Sequence, residues 1–235
     1  MFKKTIFKWL IILSALAGVY LQMFASSVDF MGGTSMMLYF TIQSNLWMAM
    51  IAAVGLIYIY RDKEMKEGYF ISKYTLTVGI LITYVVFSIL LTPSLPLSYL
   101  LTPSNILVHT LTPIVSILDY LLNDRRIYRK KLYLFGLITP LYYMIFAYIM
   151  YAFGIKFSGS NFPYFFLDFI DNGWLTISDG KIGVVYWYIF ILGLVLLISA
   201  SSIKLKKIID KKVPIYVAST MIVLTFLMTL LQAIS

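Results

Sequence analysis

The chain has 235 residues, a net charge of +9, 61% hydrophobic and 12% charged side chains, and a mean hydropathy of +0.89. About a quarter of a soluble domain's residues are charged, so this composition excludes one; without cysteine, disulfides, thiolate metal sites and a cysteine nucleophile are excluded too. Nor does the charge point to nucleic acid, because the basic residues sit in short stretches between apolar runs, where anionic lipid headgroups are the natural counterions.

Seven apolar runs follow in order, at 5–25, 37–60, 74–92, 104–122, 132–153, 184–203 and 213–234. At about 1.5 Å of rise per residue, each is long enough to cross a hydrocarbon core of about 30 Å. The expected fold is all-α: a polytopic transmembrane bundle, with residues 1–235 forming a single integral membrane domain. The first run follows a basic stretch but is too long for the apolar part of a usual signal peptide, so it is expected to remain as a span. Lys3, Lys4 and Lys8 lie at its start; Arg61, Lys63, Lys66 and Lys73 follow span 2. Arg125, Arg126, Arg129, Lys130 and Lys131 follow span 4, and Lys204, Lys206, Lys207, Lys211 and Lys212 follow span 6. Only Lys156 and Lys181 fall at the opposite end, so the positive-inside rule places the N-terminus in the cytoplasm.

Span 2 carries Thr41, Ser44 and Asn45 on one face, continuing into Met48, Ala52 and Gly55. A polar cluster thus leads into a groove of small residues that permits close helix approach. On span 4, Asn105, His109, Thr112, Ser116 and Asp119 fall within an arc of about 80° at about 100° per residue. Such a stripe faces other helices or water rather than lipid. Either it joins helices through hydrogen bonds, or it contains a site, since ionisable groups in a span are costly. His109 and Asp119 are the two such groups read within the spans, all 19 basic residues being read in loops or termini. Pro113 lacks the N–H that would pair with the His109 carbonyl, so a kink is expected at the one histidine, freeing that carbonyl for Asn45, Ser44 or water. Asp119, near Arg125 and Arg126, reads as a helix-end ion pair. The loop 154–183 is long, aromatic and expected to be external; it carries Asp168, Asp171 and Asp179, and reads as an interfacial belt or as a lid.

Thr41 and His109 lie at similar depths from the same end of their spans, and the pair resembles a hydroxyl nucleophile with an imidazole base, with Ser44 or Asn45 as oxyanion or positioning groups. With one histidine and no cysteine, few zinc ligands are available, and two histidine ligands to a haem are impossible in one chain. A retinal pigment would need a lysine inside a span. No cofactor or metal is expected.

The runs Tyr39-Phe-Thr-Ile-Gln-Ser-Asn45, His109-Thr-Leu-Thr-Pro113 through Asp119-Tyr-Leu-Leu122, and Phe162-Pro-Tyr-Phe-Phe-Leu-Asp168 with Gly173 resemble three motifs of a bacterial membrane-protein group. That group is similar to the androgen-induced-gene family of membrane hydrolases, which includes the androgen-dependent TFPI-regulating protein. The chain differs at Phe162 and Phe165, which stand for a Tyr and a Pro of the loop motif, and at Phe146; Tyr143 is kept. The resemblance implies an intramembrane threonine hydrolase of lipid esters, such as fatty acid esters of hydroxy fatty acids. Thr41 would be the nucleophile and His109 the general base, with Asn105, Thr112, Pro113, Ser116, Tyr143 and Asp168 lining the pocket. Membrane lipids and an acyl ester are the expected partners, and a bacterial inner membrane the expected location, with the site toward the external leaflet. The alternative is a non-enzymatic lipid-binding, transport or sensing protein.

Overall fold

The computed structural model describes residues 2–24, 33–127, 129–178, 180–208 and 212–234. The chain is an all-α polytopic bundle with seven helices long and apolar enough to span a membrane: Thr5–Phe24, Phe40–Tyr60, Glu67–Ser94, Pro103–Asn123, Leu132–Ala152, Val184–Lys207 and Val213–Ile234. In their most apolar windows, 72% of span 3 and 67% of span 4 is buried, against 6% of span 7. Spans 3 and 4 therefore form the centre, spans 1 and 2 pack on one side, spans 5 and 6 on the other, and span 7 lies at the periphery.

Two of the central spans are not continuous α-helices. Span 3 runs as α-helix over Glu67–Val86, then loosens into a π turn at Phe87–Leu91 before Pro93. Span 4 begins with one α turn at Pro103–Ile106, widens into a π turn at Leu107–Leu111, and resumes as α-helix over Thr112–Asn123. Each π turn is closed by a threonine N–H reaching back five residues, Thr92 to the Phe87 carbonyl and Thr112 to the Leu107 carbonyl. In both places the next residue is proline, which has no N–H with which to satisfy the following carbonyl. The helix accommodates Pro113 with an extra residue in the preceding turn.

Three of the lysines read as loop or terminal residues are buried inside spans: Lys8 and Lys73 fully, and Lys206 near the end of span 6. Span 3 starts at Glu67 rather than near 74, because Lys73 is neutralised within the bundle rather than set in a loop. Asp119 is not paired with Arg125 or Arg126. Its Oδ2 takes Lys8 Nζ at 2.9 Å and Lys73 Nζ at 2.5 Å, and Lys73 also reaches Asp124 at 2.6 Å. Desolvation of four charges is tolerable here only because they are balanced two against two. Gly55 belongs to the same arrangement: a side chain there would meet Lys8 Cε at 2.8 Å and the Tyr69 hydroxyl.

At the opposite end, residues 153–183 fold back over the bundle. Phe157, Phe162, Phe166 and Leu167 are buried, and Tyr39 packs edge-on against Phe157 and Tyr164. A 3-10 turn at Phe165–Leu167, a one-turn helix at Phe169–Asn172 and a small hairpin pairing Ile177–Ser178 with Lys181–Ile182 order the segment. Asp179, read as part of this loop, lies outside the described residues.

Candidate functional site

Thr41 enters on the first turn of span 2, Tyr39 being the N-cap. Its Oγ1 lies 3.2 Å from Nε2 of His109, and both residues are buried. The geometry of span 4 sets the imidazole. In the π turn the Thr112 N–H bonds to the Leu107 carbonyl, and Pro113 offers nothing to the Val108 carbonyl. Asn45 fills that vacancy: its Nδ2 donates to Val108 O at 3.1 Å and to Thr41 O at 2.8 Å. The carbonyl held by Asn45 is therefore that of Val108, not of His109, because the extra residue shifts the register by one. One amide side chain thus ties the backbone before His109 to the backbone of Thr41. With both of its N–H groups engaged there, Asn45 is a brace between the two helices.

Ser44 is equally committed. Its Oγ donates to Thr41 O at 3.0 Å and lies 2.9 Å from the Thr83 hydroxyl on span 3. The second π turn supplies the other wall: the Phe87 ring stacks on the imidazole with centroids 3.6 Å apart and planes 17° from parallel. The Asn105 carbonyl stands beside the imidazole, but Nδ1 has no hydrogen-bond partner among the described residues. Asp168, expected to line the pocket, is engaged elsewhere; its Oδ1 accepts from the backbone of Ile170 and Asp171 and caps their short helix.

The remaining span 4 stripe does not converge on this pair. Thr112 Oγ1 lies 2.8 Å from Ser14 Oγ on span 1, Ser116 donates to the Thr112 carbonyl, and the Asn105 amide donates to the Leu100 carbonyl. Tyr143 lines the cavity beside Thr41, donates to Leu38 O at 3.0 Å, and packs on Phe40. Asp119 is at the far end of the span in the lysine cluster.

Two side chains that sequence reasoning left out complete the site. Phe87 carries no chemical signal of its own, although the Leu-Thr-Pro that follows it repeats the one following His109. Tyr164 hangs from the folded-back segment with its hydroxyl beside the Thr41 hydroxyl and the backbone of Phe40 and Thr41. Burial pushes that phenol up to about 12, so near neutral pH it remains a donor. Tyr164 belongs to the loop motif, which was the available signal.

Thr41 borders two spaces. One is a narrow apolar slot of about 60 Å³ between spans 2, 3, 5 and 6, walled by residues such as Ile82, Val86, Met144 and Ile191. The other is a vestibule of about 220 Å³ whose walls include Gln22, Ser94, Tyr99 and His109. Phe87, Leu91 and Tyr164 separate them. Compared with family models, with curated proteins and with solved structures, the chain gives no significant match.

Proposed function

We propose that the protein hydrolyses long-chain acyl esters within the membrane, with Thr41 as nucleophile and His109 as general base. The observation that carries this reading is the 3.2 Å approach of the Thr41 hydroxyl to His109 Nε2 at the junction of slot and vestibule. A threonine hydroxyl is a weak nucleophile until a base within hydrogen-bond reach removes its proton. In this scheme Thr41 Oγ1 attacks the ester carbonyl carbon as its proton passes to Nε2. The tetrahedral intermediate collapses, and the leaving alkoxide takes that proton. Water then attacks the acyl-threonine, gives a proton to Nε2, and restores Thr41 with release of the fatty acid. Tyr164 is suited to donate to the developing oxyanion, since its hydroxyl lies beside the attacking oxygen. The slot would take the acyl chain.

The resemblance to the androgen-induced-gene hydrolases belongs to this proposal, and the fatty acid ester of a hydroxy fatty acid is the substrate type which that resemblance implies. The orientation belongs to the proposal too. The charge asymmetry supports a cytoplasmic N-terminus, with the site toward the external leaflet of a bacterial inner membrane. The apolar slot by itself would equally suit a protein that only binds or carries lipid. The experiment that separates the readings is ester hydrolysis by the purified chain and by Thr41→Ala and His109→Ala. Full activity in Thr41→Ala would remove the nucleophile, and no activity in any preparation would favour the binding protein.

A further inference from the structure

The two spaces that meet at Thr41 differ in what they can hold. The slot is walled almost wholly by hydrocarbon and suits an alkyl chain. The vestibule offers hydrogen-bonding groups, Gln22, Ser94, Tyr39 and Tyr99 among them, and among the described residues none of the side chains that line it is a lysine or an arginine. Gln22 Nε2 donates to the Tyr99 hydroxyl at 2.9 Å, so its inner wall is built from a neutral pair. Burial pushes the Tyr99 phenol further up, which keeps it uncharged.

Among the described residues, the rest of this end of the molecule brings no lysine or arginine to the vestibule either. Its two basic residues are Lys156 and Lys181. Lys156 bonds to Asn161 and borders a separate cavity, and Lys181 is exposed on the small hairpin. Asp168 and Asp171 lie in the segment between them. A carboxylate drawn into such a vestibule would lose hydration without gaining a counterion, which is costly in a low-dielectric setting. A hydroxyl-bearing group would lose little, because the walls replace its hydrogen bonds with water.

On the ester-hydrolase reading above, we infer that the alcohol half of the substrate is uncharged and hydroxylated, glycerol monoesters being the class that fits, and that an ester whose alcohol carries a free carboxylate, the type implied by the resemblance included, is selected against. The test uses the full chain in a nonionic detergent with three esters of one fatty acid: a glycerol monoester, a hydroxy fatty acid ester with its carboxylate free, and the same molecule as its primary amide. The last two have the same size and shape; the amide lacks the charge and adds two N–H donors. We expect kcat/KM for the amide and the glycerol ester to exceed that of the free acid by at least about tenfold, the factor that about 1.4 kcal/mol gives. Ser94 is exposed and lines the vestibule, so Ser94→Lys, which brings an ammonium to that wall, should raise kcat/KM of the free acid relative to that of its amide. A free acid cleaved as fast as its amide would overturn this inference and leave the hydrolase reading standing. Failure to cleave any of the three would bring down both.

Discussion

At the scale of single residues, the proposed chemistry needs Thr41 and His109 together, since one supplies the attacking oxygen and the other takes its proton. Thr41→Ala and His109→Ala should each lower kcat by about 10³-fold or more, and the double variant should be no worse than either single one. Multiplicative losses in steady-state kinetics would show that the two act separately. Tyr164→Phe removes only a hydroxyl from the wall beside Thr41. Loss of one oxyanion donor typically costs about 10²-fold in kcat, so this variant should lose that much with KM little changed. A raised KM with normal kcat would make Tyr164 a binding residue instead. The Thr41–His109 pairing was legible in the sequence because topology alone brings the same ends of spans 2 and 4 to one depth. Tyr164 was not assigned a role, since a tyrosine in an aromatic segment reads as interface until the segment is seen folded over the bundle.

At the scale of elements, the departure from regular helix explains the site's shape. An α-helical register through 107–112 would send the Thr112 N–H to Val108 O, the acceptor that Asn45 now occupies. Pro113 favours the wider turn because it cannot donate to either candidate carbonyl. Asn45→Ala leaves the Val108 carbonyl buried and unpaired, which costs about 1–3 kcal/mol, and it also releases the backbone of Thr41. We expect a lower thermal midpoint and a larger loss of kcat than Ser44→Ala, whose hydroxyl does not join spans 2 and 4. Equal effects from both variants would contradict the bracing role. The sequence foretold a disturbance at Pro113 but not its form: proline tells where an N–H is missing, while tertiary contacts decide whether the chain kinks or widens. The repeated Leu-Thr-Pro, at Leu91–Pro93 and Leu111–Pro113, is the local mark of both π turns. At Leu101–Pro103 the same three residues start a helix, with Thr102 as its N-cap, so the motif acquires meaning only from the helix before it.

At the scale of the whole molecule, the bundle carries its polar work at two ends. One holds Thr41 and His109; the other holds Lys8, Lys73, Asp119 and Asp124. Breaking a buried charge cluster by removing one member commonly costs about 3–5 kcal/mol. Asp119→Ala should therefore reduce yield and thermal midpoint by far more than activity per folded molecule, and Lys8→Met with Asp119→Leu should recover part of the loss. An Asp119→Ala protein that is stable but inactive would instead tie this cluster to the chemistry. Orientation is checked separately, with cysteines at exposed positions in a chain that has none. In intact cells an impermeant thiol reagent should label Ser158→Cys and spare Glu64→Cys; the reverse would invert the topology. The number of spans was legible because the bilayer fixes their length. The charge cluster was not, because a lysine near a span boundary looks the same in sequence whether it meets lipid headgroups or a carboxylate on a distant helix.

That distance has a consequence for how the protein is made. Lys8 and Asp119 are separated by 111 positions, so the first span leaves the ribosome and enters the bilayer long before its counterion exists. Until span 4 arrives, Lys8 can only hold its ammonium at the headgroup level, and Lys73 waits in the same way. We expect neutralisation to draw spans 1 and 3 inward around Asp119, with the arrival of the fourth span as the commitment point of assembly. A nascent chain stopped before Asp119 should remain a set of loosely associated helices open to membrane proteases, whereas one stopped beyond Asp124 should already resist them. Protease sensitivity of staged truncations in membrane vesicles would reveal that step.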